Sequence, residues 1–225
     1  MNNIIKKISD AKHIEIVVEK EYLYVGSALY TYILTLHKKV SLVCKEKELG
    51  YAFSFIPWFE KIKKTDTPSA DVSIKLDISS KEFYEYFKKS ALPVNKKMAL
   101  ALYSALVYET DGFTNSKLDG TIFAISSELI DAGADYKLAY EHIINYTSLA
   151  FLRLKSIMLG KMCLVNDTKV VLFYLRTDDL KASGTTQADA QKVMREAFSL
   201  PYVETAILLD SNQENEVIKI INKEI

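Results

Sequence analysis

The chain reads as an α/β protein, a parallel β-sheet flanked by helices with a smaller C-terminal α/β domain behind it. Three observations predict this. An apolar strand-like run at residues 14–18 leads through a helical run at 26–37 into a second, largely apolar strand at 40–44, and that β-α-β order belongs to a parallel sheet covered on both faces. Residues 80–159 then carry a helical pattern almost without break. Strand-like runs return at 161–165, 170–175 and 203–209, with a helix at 187–198. The change of pattern sets a boundary near Thr147, hence domains over 1–147 and 148–225, and 225 residues suffice for two small cores.

Each element has a local reason. An amphipathic helix over 3–11 precedes the first strand, and Gly26-Ser27 opens the helix that follows it. Residues 50–64 hold Ile56-Pro57-Trp58-Phe59 and read as a turn or short helix packed by aromatics. Turn formers at 65–70 lead into a strand at 71–77. Asn95 caps the helix through Tyr108, and Gly133 stops the helix that begins near Asp119. A helix at 136–146 runs into a connecting segment at 147–159. Asn166-Asp167 signals a hairpin, and 216–221 reads as an edge strand.

Composition narrows the function classes. With 49% apolar and 26% charged residues the chain has the make-up of a soluble globular protein. Its 29 basic and 29 acidic residues cancel, so nucleic-acid binding has no global electrostatic source and needs a local patch. Lys61, Lys63 and Lys64 form the notable basic cluster. They stand beside Tyr51, Phe53, Phe55, Trp58 and Phe59, which suit either base stacking or a core and protein contact. Cys44 and Cys163 sit in apolar runs without metal spacing and read as buried, reduced thiols. The histidines, His13, His37 and His142, stand singly, in surface or boundary roles. No signal-peptide core or membrane-length apolar run is visible, which makes a cytoplasmic, bacterial-type protein without membrane contact the expectation. Nucleophile elbows, P-loops and dinucleotide fingerprints are also missing.

Val17-Val18-Glu19-Lys20-Glu21-Tyr22-Leu23-Tyr24-Val25-Gly26-Ser27 occupies a strand-to-helix turn, where α/β proteins place their chemistry. It resembles the first motif of the DHH-family phosphoesterases, the group of bacterial nanoRNases and pAp phosphatases, which reads His-x-Asn-Pro-Asp-x-Asp-x-x-Gly-Ser. The block Ala101-Leu102-Tyr103 through Glu109-Thr110-Asp111-Gly112-Phe113 is similar to that family's ALYxGIxTDTGxF segment. Glu128-Leu129-Ile130-Asp131-Ala132-Gly133-Ala134-Asp135 is similar to its AAELLEAGAD segment. Arg153 to Gly160 resembles the start of the DHH-associated domain, so 148–225 reads as a truncated form of it.

The resemblance implies a DHH-like fold and, in the family, a two-metal site. Laid on the first motif, the metal-binding His falls on Val17, the first Asp on Glu21 and the second on Leu23. The strand ending in Asp77 matches the next signature, but the Asp-His-His triplet after it is missing, as is the closing Gly-Gly-Gly-His segment. Glu109 stands where the family has a ligating Asp. Valine and leucine cannot ligate a hard cation.

What remains is a reduced set: Glu21, Asp77 and Glu109 as metal ligands, with Asp111 nearby in sequence. Gly26 and Ser27 remain for an anion or nucleotide, or Gly26 serves only for close helix packing. A carboxylate cluster without a cation raises its own pKa values, so Lys20 or Lys75 is expected to neutralise it in place of a metal. The preferred reading is a degenerate, catalytically weak or inactive relative, a pseudoenzyme binding a protein partner or a nucleotide without a cofactor. The first alternative is a phosphohydrolase acting on short oligoribonucleotides or pAp through Mn²⁺ or Mg²⁺. The second is a structural subunit of a homo- or heterodimer, favoured if the aromatic stretch 51–59 is exposed.

Overall fold

Strands β1 (His13–Val18), β2 (Lys39–Val43), β3 (Ile62–Lys63) and β4 (Val72–Leu76) form a parallel sheet in the order β3-β2-β1-β4. They belong to the first of two compact units, Met1–Tyr146 and Thr147–Ile225, in a computed structural model that describes residues 1–213 and 215–223. Side chains alternate across a strand, so Ile14, Ile16 and Val18 of β1, Leu42 of β2 and Ile74 and Leu76 of β4 share one face, and all are buried. That face packs on α2 (Leu23–Thr35), whose residues from Leu23 to Ile33 are all buried, and α4 (Lys96–Glu109) packs on α2. A helix this apolar all round belongs in an interior.

The opposite face differs from the expected apolar cover. There β1 buries His13 and Glu15 beneath the loop 64–71. His13 Nδ1 lies 2.8 Å from the Ser69 carbonyl and therefore carries the proton, while Nε2 lies 3.1 Å from Ser41 Oγ. Glu15 accepts from Ser73 Oγ at 2.8 Å and from the Thr67 N–H, and Lys63 Nζ donates to Ser41 Oγ at 3.0 Å. Every buried polar atom here has a partner, which is what makes the burial tolerable. His13 is thus an interior, satisfied histidine and not the surface residue its isolation suggested.

Helix starts follow their caps. Asn95 accepts from Met98 N and Asp119 from Ile122 N, opening α4 and α5 (Gly120–Asp131) where the sequence placed them. Asp135 does the same for α6 (Tyr136–Ile143), and Ser79 with Glu82 forms a capping box on α3 (Ser80–Lys89). Before them, α1 (Asn2–Asp10) buries Ile8, and its C-terminal carbonyls are held by Lys38.

The second unit carries a sheet in the order β5-β6-β7-β8, from β5 (Cys163–Val165), β6 (Val170–Leu175), β7 (Thr205–Asp210) and β8 (Glu216–Asn222). β5 and β6 form the expected antiparallel hairpin, β6 and β7 run parallel, and β8 lies on the edge. Helices α7 (Leu149–Lys161) and α9 (Gln187–Glu196) supply Leu154, Met158, Val193 and Met194 to a core with Phe173 and Leu208. Two elements were not foreseen. β3 has only two residues, and α8 (Thr177–Ser183) is a short stretch with Asp178 and Asp179 in its first turn. Cys44 is buried as expected, whereas Cys163 is exposed because edge strand β5 has no cover. No helix among the described residues is long and apolar enough to cross a membrane.

Candidate functional site

In the order β3-β2-β1-β4 the chain fills one side of β1 and then returns to place β4 on the other. The gap beyond the carboxyl ends of β1 and β4 is therefore a topological switch point, where open α/β sheets bind ligands. A cleft of about 790 Å³ lies there, lined by Glu21, Asp77 and Glu109, and also by Glu82, Lys81 and Lys117. The three carboxylates singled out in the sequence, 21, 77 and 109, are thus brought to one place by three separate elements. Glu21 sits in a 3₁₀ turn, Lys20–Tyr22; Asp77 directly follows β4; Glu109 ends α4.

Their carboxylates do not act as one ligand set. Glu109 is half-buried and turned onto the start of α3, where one oxygen accepts from Ser80 N–H at 3.0 Å and the other from Ser80 Oγ at 2.8 Å. Burial pushes its carboxyl above the usual carboxylate range, and the Ser80 hydrogen bonds and the Lys117 charge pull against that rise. Tyr108, beside it, has its phenol pushed up by burial and by the charge of Glu21.

A resident metal pair fits this donor set poorly. Among the described residues no three His, Cys, Asp or Glu side chains stand together as a metal ligand group. Val17 is partly buried and Leu23 wholly so, at positions the resemblance assigns to a ligating His and Asp. Asp111 does not line the cleft; it is exposed, with a left-handed backbone at φ 51°.

Other expectations need correction. Lys75 pairs with Glu19 at 3.2 Å, and Lys20 lies over the Phe53 ring at 5.7 Å, so neither neutralises the cleft. The lysines that do line it are Lys81, also bound to Asp119 at 2.7 Å, and Lys117. No motif or spacing marks these two in the sequence.

Gly26 and Ser27 do not open the helix, which starts at Leu23. Both are buried: a Cβ on Gly26 would stand 2.9 Å from Val18 Cγ1, and Ser27 Oγ donates to the Pro57 carbonyl at 2.7 Å. Gly26 therefore serves packing, and neither residue offers a free donor to an anion.

The aromatic stretch 51–59 is mostly half-buried against the core. Phe53 is buried and stacks on Tyr24 at 4.8 Å, and Trp58 Nε1 donates to Thr31 Oγ1 at 2.9 Å. Tyr51, by contrast, is exposed and stacks on His142 at 4.8 Å. His37 ends the α2 turn with φ 56°.

The sequence matches no protein-family model, and comparison with curated proteins finds no significant relative. Among solved structures, a family II inorganic pyrophosphatase assignment from Methanococcus jannaschii superposes only loosely, at a TM-score of 0.36 with 11% identity over 88% of this chain and 83% of that one. An exopolyphosphatase-related protein from Bacteroides fragilis superposes at a TM-score of 0.75, with 18% identity over 95% of this chain and 80% of that one. The chain shares that protein's fold, a parallel sheet flanked by helices with a second, smaller α/β unit.

Proposed function

We infer that this chain is a non-hydrolytic protein of DHH-like fold that works by binding a protein partner. The observation that carries the reading is the engagement of both Glu109 oxygens by Ser80, which makes the residue at the family's ligating-Asp position a structural acceptor. Charge argues for a protein over a nucleotide. The cleft holds four carboxylates, Glu21, Asp77, Glu82 and Glu109, against two lysines, so a phosphate entering without a metal meets net repulsion. A basic or hydrogen-bond-donating group on a partner meets attraction. The two units, Met1–Tyr146 and Thr147–Ile225, then act as a retained scaffold, the second resembling a shortened DHH-associated domain.

A second reading is favoured by one fact, that Glu21, Asp77 and Glu109 line the same cleft. On it, the protein is a phosphohydrolase for short oligoribonucleotides or pAp that depends on Mn²⁺ or Mg²⁺. Calorimetric titration of the chelator-stripped protein with Mn²⁺ separates the two. The expected result is no saturable heat up to millimolar Mn²⁺ and no turnover of short RNA or pAp. Saturable binding near one ion per chain, lost in Asp77→Ala, together with turnover of short RNA or pAp, would sink the non-hydrolytic reading and establish the second.

A further inference from the structure

Helix α7 is apolar on two sides. Its 13 residues, Leu149–Lys161, open at Ser148, whose side chain accepts from Phe151 N–H at 3.1 Å. One side turns Leu154 and Met158, both fully buried, into the core of the second unit, with Phe151 packed beside them. Leu149, Leu152 and Leu159 lie on the other side and are 63%, 50% and 36% exposed. A helix that is apolar all round belongs in an interior, and this one has a single side covered.

The exposed side is a continuous seam. Leu149, Leu152, Ser156 and Leu159 stand three, four and three positions apart, the spacing at which side chains share one face of a helix. The same alternation marks the positions through which one helix packs along another, and Ser156 is the polar place within it.

Charge narrows what can lie on that seam. α7 carries Arg153, Lys155 and Lys161 and no acid. Lys155 pairs with Glu196 of α9 at 2.5 Å and Lys161 with Asp179 of α8 at 2.9 Å, so the two helices packed on α7 answer these cations. Arg153 borders the seam, is exposed, and makes no salt bridge among the described residues. A second copy of α7 would set like charges against each other, whereas a helix with carboxylates beside its apolar stripe meets attraction. We propose that this seam docks an amphipathic helix of a partner protein, its apolar stripe bordered by carboxylates, one of which faces Arg153. Docking at α7 is independent of what the acidic cleft of the first unit does, whether or not that cleft hydrolyses anything.

Fluorescence anisotropy on the full chain with two labelled peptides tests it. Both peptides are helices of three heptads with leucine at the seam positions; one carries glutamate beside the seam and the other lysine. The glutamate peptide should bind with a Kd on the order of tens of micromolar, and the lysine peptide about fivefold or more weakly. Leu152→Ser should weaken the glutamate peptide by about tenfold, through loss of a central apolar contact. Arg153→Glu should invert the preference between the two peptides. Both positions are exposed, so these variants should melt like the wild type, which keeps the comparison free of misfolding. No saturable binding of the glutamate peptide, equal binding of the two peptides, or indifference to Leu152→Ser or to Arg153→Glu overturns the proposal. An oligomer of the chain that dissociates in Leu152→Ser would give the seam to a second copy and overturns it as well.

Discussion

Glu109 spans Ser80, taking a hydrogen bond from its backbone N–H at 3.0 Å and from its hydroxyl at 2.8 Å. The carboxylate thereby caps α3 at its positive end, where an acceptor is favoured by the exposed N–H groups and the helix dipole. This contact engages both Glu109 oxygens, and it is why the residue cannot be removed freely.

Glu109→Ala should destabilise the protein by about 1–3 kcal/mol in urea unfolding, because the Ser80 N–H is left without its acceptor. Glu109→Gln keeps an acceptor oxygen and should cost much less. Equal stability of wild type and Ala variant would show that the carboxylate is not structural.

The pH dependence follows from the direction of the same group's shift. Burial raises the Glu109 carboxyl above its unfolded value, so over the window between the two the native state binds more protons than the unfolded one. Its contribution is then fully favourable below the ordinary carboxylate range and declines as pH rises through the elevated folded value. Stability curves of wild type and Glu109→Gln should diverge across that window, with the wild type falling relative to the variant as pH increases. Parallel curves would contradict the assignment.

Gly26→Ala tests close packing of helix on sheet. A methyl there would stand 2.9 Å from Val18 Cγ1 and 3.1 Å from Leu42 Cδ1, neither on a side chain free to swing away. Overpacking of this order costs about 1–3 kcal/mol, against up to about 1 kcal/mol gained in helix propensity. A net loss in melting temperature is expected; an unchanged or higher value would place Gly26 in looser surroundings.

Lys38 Nζ donates to the carbonyls of Ile8 and Ala11 at 2.6 and 2.9 Å and to that of Ser9 at 2.5 Å, closing the C-terminus of α1. Lys38→Met keeps the aliphatic stem and removes the charge, and the loss should be about 1.5–3 kcal/mol, the range for charge-assisted bonds. Amide exchange should localise it, with protection falling in α1 before β1 and β2.

Much of the fold is legible in local pattern. Mostly apolar strands at 14–18 and 40–44 and the caps Asn95 and Asp119 place their elements, because each acts through residues a few positions apart. Where the reading failed, the deciding contact was distant in sequence. Glu15 and His13 look like misplaced polar residues in a strand until Thr67 and Ser69 fold over them. Gly26 and Ser27 look like a ligand-binding turn until Val18, Leu42 and Pro57 close on them.

The candidate site divides along the same line. The sequence by itself determined which acids remain, Glu21, Asp77 and Glu109, and that valine and leucine stand in two ligand positions of the resembled motif, because residue chemistry needs no coordinates. Only the tertiary structure decided that these acids share a cleft, that Lys81 and Lys117 join them, and that Glu109 faces Ser80. Glu109 and Ser80 are 29 residues apart, and their distance depends on how α3 and α4 pack. A carboxylate's identity is written in the chain, but its hydrogen-bond partner is set by whichever donor packing brings within 3 Å.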